Sequence, residues 1–435
     1  MGFIVLFVVL KLDFYLYMHF KNFFSGAGVY LFANILNASA PFLLLPILTR
    51  YLEPAEYGQI AMFQMLIGFF GAFTGIVFIG GITRKFYDKD GVSAMHEYVG
   101  AGFQLAVCFS TLVFVLLLGF GDFLQDAVNI SVSYIYMSLL VSVSAVLMQL
   151  RLNQWQIRKH SIKYGVFQVS GSLVNLSLSL LLVVVMVLGA DGRVYAIACV
   201  SGLYGIVALW LLKKDNLVDF LLVSKKSLVE LLKFGVPLIP HVLGVFFLMS
   251  VDRWVISSEM GLAQAGIYVV AVQLAAVMSL VFDAVNKAYV PWLYEKLSVG
   301  TRDQKVQVVK FIYSSLFVIF LMVLLMIYMS NFIVEVLVGQ AYSQAAHVLS
   351  WLAVGQGFRG AYLLMTNFIF FKGKTLYTSV ITMAVGIINL ILLVVFVDAW
   401  GLEGAGMAYS VSTFLLFVVT FSVATRLESM PWRLE

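Results

Sequence analysis

A single arginine lies in the middle of a long apolar segment of the sequence. Arg359 is central to GQGFRGAYLL, residues 355–364, within an apolar stretch from His347 to Phe371. A stretch of this length allows a helix to cross the roughly 30 Å hydrocarbon core of a bilayer at about 1.5 Å per residue. A guanidinium at the bilayer centre costs about 2.5–3.5 kcal/mol on insertion scales. Arg359 therefore indicates either a water-filled cavity that binds an anion, or pairing with an acid or with helix-end carbonyls of another helix.

Other charged residues lie in or beside apolar segments. Asp283 and Lys287 are four residues apart, so we expect them to share a helix face and to form an ion pair. That pair either lowers the cost of a polar face or acts as a switch that substrate breaks. Asp252 is adjacent to Arg253, where local pairing is the alternative to function. The predicted cavity cations are Arg359, Arg253, Lys287, Arg50 and Arg84, the last with headgroup snorkelling as its alternative; the candidates for ion coupling or a switch are Asp283, Asp252 and His241.

Uncharged polar side chains recur within the apolar segments. Gln168 and Asn175 are seven residues apart and therefore share a helix face, and Asn34 and Asn37 are three apart. These side chains either line a polar cavity or form hydrogen bonds between helices. The predicted lining residues are Asn34, Asn37, Gln64, Gln168, Asn175, Gln273 and Asn389.

Four prolines occupy two of the apolar segments. A proline removes a backbone donor and kinks a helix, and broken helices in corresponding halves of a transporter mark a binding site or gate. We therefore expect the two segments to face each other across a cavity, with four gate residues: Pro41, Pro46, Pro237 and Pro240.

The composition is that of a membrane protein. Of 435 residues, 62% are hydrophobic and 11% charged, with a mean hydropathy of +1.00. The net charge of +5 comes from scattered residues, which excludes a nucleic-acid-binding face. Cys108 and Cys199 both lie in apolar runs, so we expect buried thiols and no metal site. We predict no cofactor and no covalent chemistry, because neither a nucleophile motif nor a phosphate loop is present.

Hydropathy predicts an all-α fold of about twelve transmembrane helices. The predicted spans lie near residues 26–48, 58–80, 98–120, 131–149, 164–188, 194–212, 234–256, 265–286, 310–330, 347–371, 376–397 and 405–425. With a cytoplasmic N-terminus, 23 of the 27 lysines and arginines lie on the cytoplasmic side, and only Arg50, Arg193 and Arg253 lie on the other. This bias predicts that both termini are cytoplasmic.

The first residues stand apart from this pattern. As a further span, residues 1–21 would place Lys11 and Asp13 in the bilayer. They also lack the charged start and the cleavage site of a signal peptide. We interpret this segment as interfacial or, with Met18 as a second start, as a mis-assigned beginning of the chain.

Four motifs repeat in the same order in the two halves of the chain. Ala55–Gly58 matches Ala263–Gly266, and Phe86–Asp88 matches Leu293–Glu295. Two longer matches follow. The first pairs Lys159 and Tyr164 with Lys372 and Tyr377, and the second pairs Asn175 and Gly189–Gly192 with Asn389 and Gly401–Gly404. The repeat predicts two parallel six-helix bundles with a cavity between them. The predicted domains are residues 22–212, a cytoplasmic linker at 213–233, and residues 234–435.

The segment from Leu31 to Asp88, with NILNASAPFLLLPILTRYLEPAEYGQIAMFQ, resembles the opening of Wzx-type O-antigen and polysaccharide flippases. This MATE-like group belongs to the MOP superfamily. Asp252-Arg253, Ala265–Tyr268 and Pro291-Trp292 extend the resemblance through the seventh and eighth spans. It implies transfer of undecaprenyl-diphosphate-linked oligosaccharide across a bacterial inner membrane by alternating access. It also implies contact with membrane lipids and other polysaccharide-assembly proteins, a monomeric transport unit, and H⁺ or Na⁺ as a coupling ion.

Two other functions are compatible with parts of this pattern. A multidrug cation exporter of the same fold needs an intramembrane carboxylate, and the first six spans have none at mid-depth. A polysaccharide polymerase or ligase needs a site on the periplasmic side, usually built from a substantial loop, and the predicted periplasmic loops are short. The sequence therefore favours an anionic substrate and a transporter that is not an enzyme.

Overall fold

The computed structural model describes residues 26–75, 78–88, 95–219 and 224–432, and the regular structure within these ranges is helical. The predicted interfacial segment at residues 1–21 lies outside them. The helices of the first half are α1 (Gly26–Tyr51), α2 (Pro54–Phe73), α3 (Ile79–Phe86), α4 (Met95–Val128), α5 (Val132–Ile157), α6 (Ser161–Leu180) and α7 (Gly189–Lys214). A π-helical turn, Leu181–Val185, extends α6. The predicted all-α class is confirmed.

The second half begins after an amphipathic linker helix, α8 (Lys225–Gly235). A 3₁₀ turn, Val236–Leu238, joins α8 to the helices of this half. They are α9 (Ile239–Met249), α10 (Asp252–Met260), α11 (Leu262–Val299), α12 (Arg302–Leu337), α13 (Ala345–Phe371) and α14 (Thr375–Leu427).

Nine helical segments of the described chain are long and apolar enough to cross a membrane. Three further predicted spans fall on α2, α13 and the second part of α14. At about 1.5 Å per residue, the 53 residues of α14 measure roughly 80 Å, far more than the roughly 30 Å of a hydrocarbon core. Gly401, with φ of 58° and ψ of −139°, interrupts α14 between the two predicted spans. Twelve crossings therefore fit the helices.

Gly401 has a counterpart in the first half. Gly189 aligns with it in the repeat and begins α7 with φ of 57°. Residues with a Cβ avoid this left-handed region, so glycine allows the sharp change of direction between two helices at both positions. The repeated motif thus has a glycine with positive φ at the same place in each half.

The prolines act differently in the two segments that contain them. α1 continues as a helix through both Pro41 and Pro46. The seventh predicted span is broken, with Pro237 in the 3₁₀ turn and Pro240 in the first turn of α9. A second break separates α9 from α10. α1 packs on α11, and α9 packs on α2, so both segments adjoin the opposite half.

The apolar cores show how the halves are joined. The largest core contains residues of both halves, for example Leu66 of α2 and Leu274 of α11. A second core, which includes Ile82 and Leu150, is built from the first half and the linker, and Ile239 and Val242 of α9 pack against it. A third, which includes Leu293, is built from the second half alone. The halves therefore share the largest core at one end, and at the other end the second and third cores belong mainly to one half each.

The first turns of α2 and α11 touch through their backbones at the shared end. A Cβ on Gly58 would lie 1.9 Å from the carbonyl oxygen of Leu262, and a Cβ on Gly266 would lie 2.0 Å from that of Pro54. We call this contact, Pro54–Gly58 against Leu262–Gly266, the seam. Gly58 and Gly266 are equivalent in the repeat, so each half contributes the same small residue to the contact.

Side-chain hydrogen bonds between the halves lie at the same end. The Tyr57 hydroxyl donates to Gln273 Oε1 at 2.9 Å, and the Tyr342 hydroxyl donates to the carbonyl of Leu52 at 2.9 Å. Trp254 Nε1 donates to the carbonyl of Ala127, near the end of α4, at 2.8 Å. The seam and these bonds close one end of the interface between the halves.

We predict that Gly58→Val opens the seam, because no side chain fits between the two backbones. Ala276 lines the cavity beside the seam. The substitution Ala276→Cys therefore provides a reporter cysteine, in a protein whose two native cysteines are replaced by serine. In oriented vesicles, a membrane-impermeant maleimide added from the seam side should label this cysteine in the Gly58→Val variant. The matched control is Gly68→Val on the same helix, where nothing lies within 4 Å; equal labelling in the two variants would contradict the seam.

Candidate functional site

A cavity of about 350 Å³ lies between the two halves, beside the seam. It is lined by α1, α2, α10 and α11. The sequence predictions that meet there come from both halves: Pro41, Gln64, Arg253 and Gln273. The polar groups of Gln64, Gln273 and Arg253 give this part of the membrane interior hydrogen-bonding capacity that an apolar helix interface lacks.

The polar surface continues along α11 away from the seam. Gln273, Ala276 and Leu280 line the cavity. Asp283 and Lys287 follow at helical spacing and therefore lie on the same face of α11. Lys287 is exposed and forms no ion pair with any described residue. This face of α11 thus changes from the amide of Gln273 near the seam to the charges of Asp283 and Lys287 further along the helix.

Arg359 on α13 reaches Asp283 on α11. Its Nη2 lies 3.5 Å from Asp283 Oδ1, and the two side chains are 21% and 46% exposed. The predicted pairing of Asp283 with Lys287 is therefore wrong, because the longer arginine side chain on a neighbouring helix takes the carboxylate. The second amino group of Arg359, Nη1, is buried and has no hydrogen-bond partner in the described chain. Arg359, the cation at the centre of a predicted span, is thus paired with an acidic residue of another helix through a long contact.

Arg253 also has a local partner. The adjacent Asp252 is 6% exposed and accepts hydrogen bonds from the Tyr268 hydroxyl at 2.8 Å and the Arg253 backbone N–H at 2.9 Å. Arg253 Nη1 lies 3.7 Å from the same carboxylate and donates to the carbonyl of Met249 at 3.1 Å. The structure contains the local pairing that the sequence left as an alternative, while Arg253 still lines the cavity.

We call the cavity between the halves, together with the charged face of α11, the cleft. Three other predicted residues lie away from it. His241 on α9 shares a hydrogen bond of 2.8 Å with Thr382 Oγ1 of α14, inside the second half. Arg50 is exposed at the end of α1. Arg84 lines a separate pocket of about 340 Å³ between α3, α4 and the linker helix, with Lys85 and Glu230. In this structure the predicted residues His241, Arg50 and Arg84 therefore do not line the cleft.

The predicted asparagines and Gln168 also lie outside the cleft. Asn34 accepts a hydrogen bond of 2.9 Å from the Tyr164 hydroxyl, and Asn389 donates one of 2.9 Å to the carbonyl of Phe247. Both bonds join neighbouring helices, which was the alternative role. A second cavity, of about 440 Å³ inside the first half, is lined by the other members of the group: Asn37, Gln168 and Asn175.

This second cavity contains a cation that the sequence did not reveal. Arg193 on α7 is only 7% exposed; its Nη1 donates to Asn175 Oδ1 at 2.7 Å and to the hydroxyl of Ser179. It forms no ion pair with any described residue. The charge bias assigned Arg193 to a loop because it precedes the sixth predicted span. α7 begins at Gly189, earlier than hydropathy predicts, and this earlier start places Arg193 inside the bundle.

Ion pairs at the ends opposite the seam anchor each half separately. Buried Arg151 pairs with Asp215 and stacks on Trp155, with 4.2 Å from its guanidinium carbon to the ring centroid. In the second half, Lys305 and Lys372 each lie 2.5 Å from Glu428. Burial raises the pKa of Glu428, but hydrogen bonds from the two ammonium groups outweigh burial, so the net shift is downward. The pairs connect helices within a half and leave the cleft free.

Solved structures define the fold class. The chain is similar to a multidrug resistance MATE family transporter of the MOP superfamily in its inward-facing conformation, with a TM-score of 0.74 and 14% identity over 92% of this chain and 96% of that one. It is also similar to the lipid II flippase MurJ in an inward closed conformation, with a TM-score of 0.72 and 14% identity over 92% of this chain and 87% of that one. The fold is therefore the MATE-like fold.

Within that fold class, a family model described as "Polysaccharide biosynthesis protein" matches residues 23–296, more than half of the chain. The chain belongs to this family. Two relatives from Haemophilus influenzae are similar along most of their length. One, described as an uncharacterized membrane protein, is 24% identical over 81% of this chain and 84% of its own; the other, Lsg locus putative protein 1, is 23% identical over 81% of this chain and 85% of its own.

The pairing of Asp283 can be tested by a double-mutant cycle. We expect Asp283→Asn and Arg359→Gln to show a coupling of about 1 kcal/mol in the free energy of unfolding in detergent, because both groups are partly exposed. The matched control cycle combines Asp283→Asn with Lys287→Gln and should give additive effects. Coupling in the control cycle, with additivity in the first, would support the spacing within α11 and contradict the structure.

Proposed function

We propose that this protein is a flippase that moves undecaprenyl-diphosphate-linked oligosaccharide from the cytoplasmic to the periplasmic leaflet of a bacterial inner membrane. The observation that carries the proposal is the cavity between the halves, which adjoins the seam and is lined by Arg253. Asp283 and Lys287 follow on the same face of α11, and Arg359 pairs with Asp283. Membership of a polysaccharide biosynthesis family supports a glycan substrate.

A lipid-linked glycan presents the membrane with a specific physical problem. Its diphosphate and hydrated sugars cannot cross hydrocarbon without very large desolvation costs, whereas its polyprenyl tail is soluble there. A polar cleft that opens between two helical bundles accepts the headgroup and leaves the tail in the lipid. Guanidinium groups suit the diphosphate, because their planar donors bind phosphate oxygens in pairs.

The loose pair of Arg359 with Asp283 is suited to exchange. At 3.5 Å the contact is longer than a strong charge-assisted hydrogen bond, and Arg359 Nη1 has no partner. In the proposed mechanism a substrate phosphate takes the guanidinium from Asp283. The carboxylate thereby becomes free to bind water or a coupling cation, for which H⁺ and Na⁺ are the candidates.

The proposed cycle is alternating access by a monomer with cytoplasmic termini. With the seam on the periplasmic side, the described conformation receives substrate from the cytoplasm. Separation of α2 from α11 and closure of the opposite ends then release it to the periplasm. The rival of the same fold is a multidrug exporter; family membership and the cations of the cleft favour the glycan.

Export of surface polysaccharide in a flippase-deficient strain tests the proposal. We expect Arg359→Ala and Arg359→Glu to reduce surface polysaccharide to the level of the deletion strain, and Arg359→Lys to retain part of it because lysine keeps the charge without the planar fork. The control Lys310→Ala removes an exposed cation of α12 and should export normally.

The double variant Arg359→Ala/Asp283→Asn tests whether Arg359 serves only to neutralise Asp283. It leaves no unpaired carboxylate, so it should remain inactive if Arg359 binds substrate. Recovery of export in the double variant, or normal export by Arg359→Ala at normal membrane levels, would contradict the proposed role.

A further inference from the structure

The cavity inside the first half is distinct from the cavity between the halves, although Pro41 of α1 lines both. Its volume of about 440 Å³ lies within the range of roughly 300–1,000 Å³ that is usual for small-molecule sites. α1, α5, α6 and α7 form its walls. The polar residues that carry the argument are Asn37, Gln168, Ser172, Asn175, Arg193 and Tyr204.

Within the part of the chain that the structure describes, no carboxylate forms an ion pair with Arg193. The side chain is more than nine-tenths buried, and its hydrogen-bond acceptors Asn175 and Ser179 are neutral. Asp191 lies two residues away and accepts instead from the Tyr134 hydroxyl at 2.6 Å. A buried guanidinium without a carboxylate is costly, and an anion in the adjoining cavity would offset that cost.

The repeat indicates that the fold does not need this arginine. Counted from the equivalent glycines Gly189 and Gly401, Arg193 corresponds to Ala405, which is fully buried. Asn389, the counterpart of Asn175, bonds the backbone carbonyl of Phe247 and so has a purely structural partner. At the described position equivalent to Arg193, the second half thus has a buried alanine and no cation.

We infer that this cavity binds an acidic sugar of the transported oligosaccharide, with Arg193 on the sugar carboxylate. One guanidinium balances one carboxylate, whereas a diphosphate would bring surplus negative charge into the membrane interior. Amides and hydroxyls suit sugar hydroxyls, and Gln168 Oε1 is buried without a partner. The Tyr204 ring offers an apolar face for the sugar ring. The inference rests on the proposed function, because it assigns a substrate class to the same transporter.

Thermal unfolding of the purified full chain in detergent tests the cavity directly. The probes are methyl β-D-glucuronide, methyl β-D-glucoside and inorganic phosphate at equal ionic strength. We expect only the glucuronide to raise the unfolding temperature of the wild type. In Arg193→Gln its affinity should fall about tenfold or more, as expected for the loss of a charge-assisted hydrogen bond. Lys163→Gln, an exposed cation on α6, is the matched control and should behave as wild type.

Three outcomes of this assay would overturn the inference. They are no glucuronide shift in the wild type, an equal shift with phosphate or glucoside, and an unchanged shift in Arg193→Gln. Arg193→Lys retains the charge and should retain part of the affinity, which guards against a variant that merely fails to fold.

Export provides a second readout in two strains that assemble repeat units with and without a uronic acid. Arg193→Gln should reduce export of the acidic unit at least about tenfold more than export of the neutral unit. Equal loss of both units would indicate a structural role and overturn the inference. If the wild type exports neither unit, the proposed flippase function fails, while the binding assay still decides whether the cavity takes an acidic sugar.

Discussion

The backbone contact between α2 and α11 is the constraint on which the rest of the architecture depends. Two helices approach this closely only where a side chain is absent, and Gly58 and Gly266 provide that gap from equivalent positions of the repeat. The shared apolar core surrounds this contact, and the separate cores lie beyond it. Because the close backbone contact and the hydrogen bonds between the halves are concentrated at the seam end, a polar cleft can exist between them without breaking either bundle.

The charges of the membrane interior follow from this arrangement. Arg359 and Asp283 pair between α13 and α11, beyond the cavity that adjoins the seam, and both side chains are partly exposed. Arg193, enclosed within one bundle, has neutral hydrogen-bond acceptors. A glycan transporter has a use for both kinds of cation, one that exchanges its partner and one that holds a fixed anion.

Much of the fold could be predicted from the sequence, because apolar spans and turn glycines are local signals. The repeated motifs around Gly189 and Gly401 both have a glycine with positive φ where one helix gives way to the next. Contacts between distant helices could not be predicted in this way. Spacing within α11 paired Asp283 with Lys287, whereas the neighbouring helix supplies Arg359. Cys108 and Cys199, expected to be buried, are both exposed, because apolar character in a membrane protein marks lipid-facing surface as well as core.

The most direct test is the transfer of lipid-linked oligosaccharide in proteoliposomes whose seam can be locked. A bifunctional thiol reagent that joins cysteines at Leu52 and Tyr342, which bond across the halves, should stop the appearance of glycan on the far leaflet. Either cysteine alone, treated with the same reagent, should still permit transfer, and a cleavable linker should restore it on reduction. Undiminished transfer by the cross-linked protein would contradict alternating access through the seam.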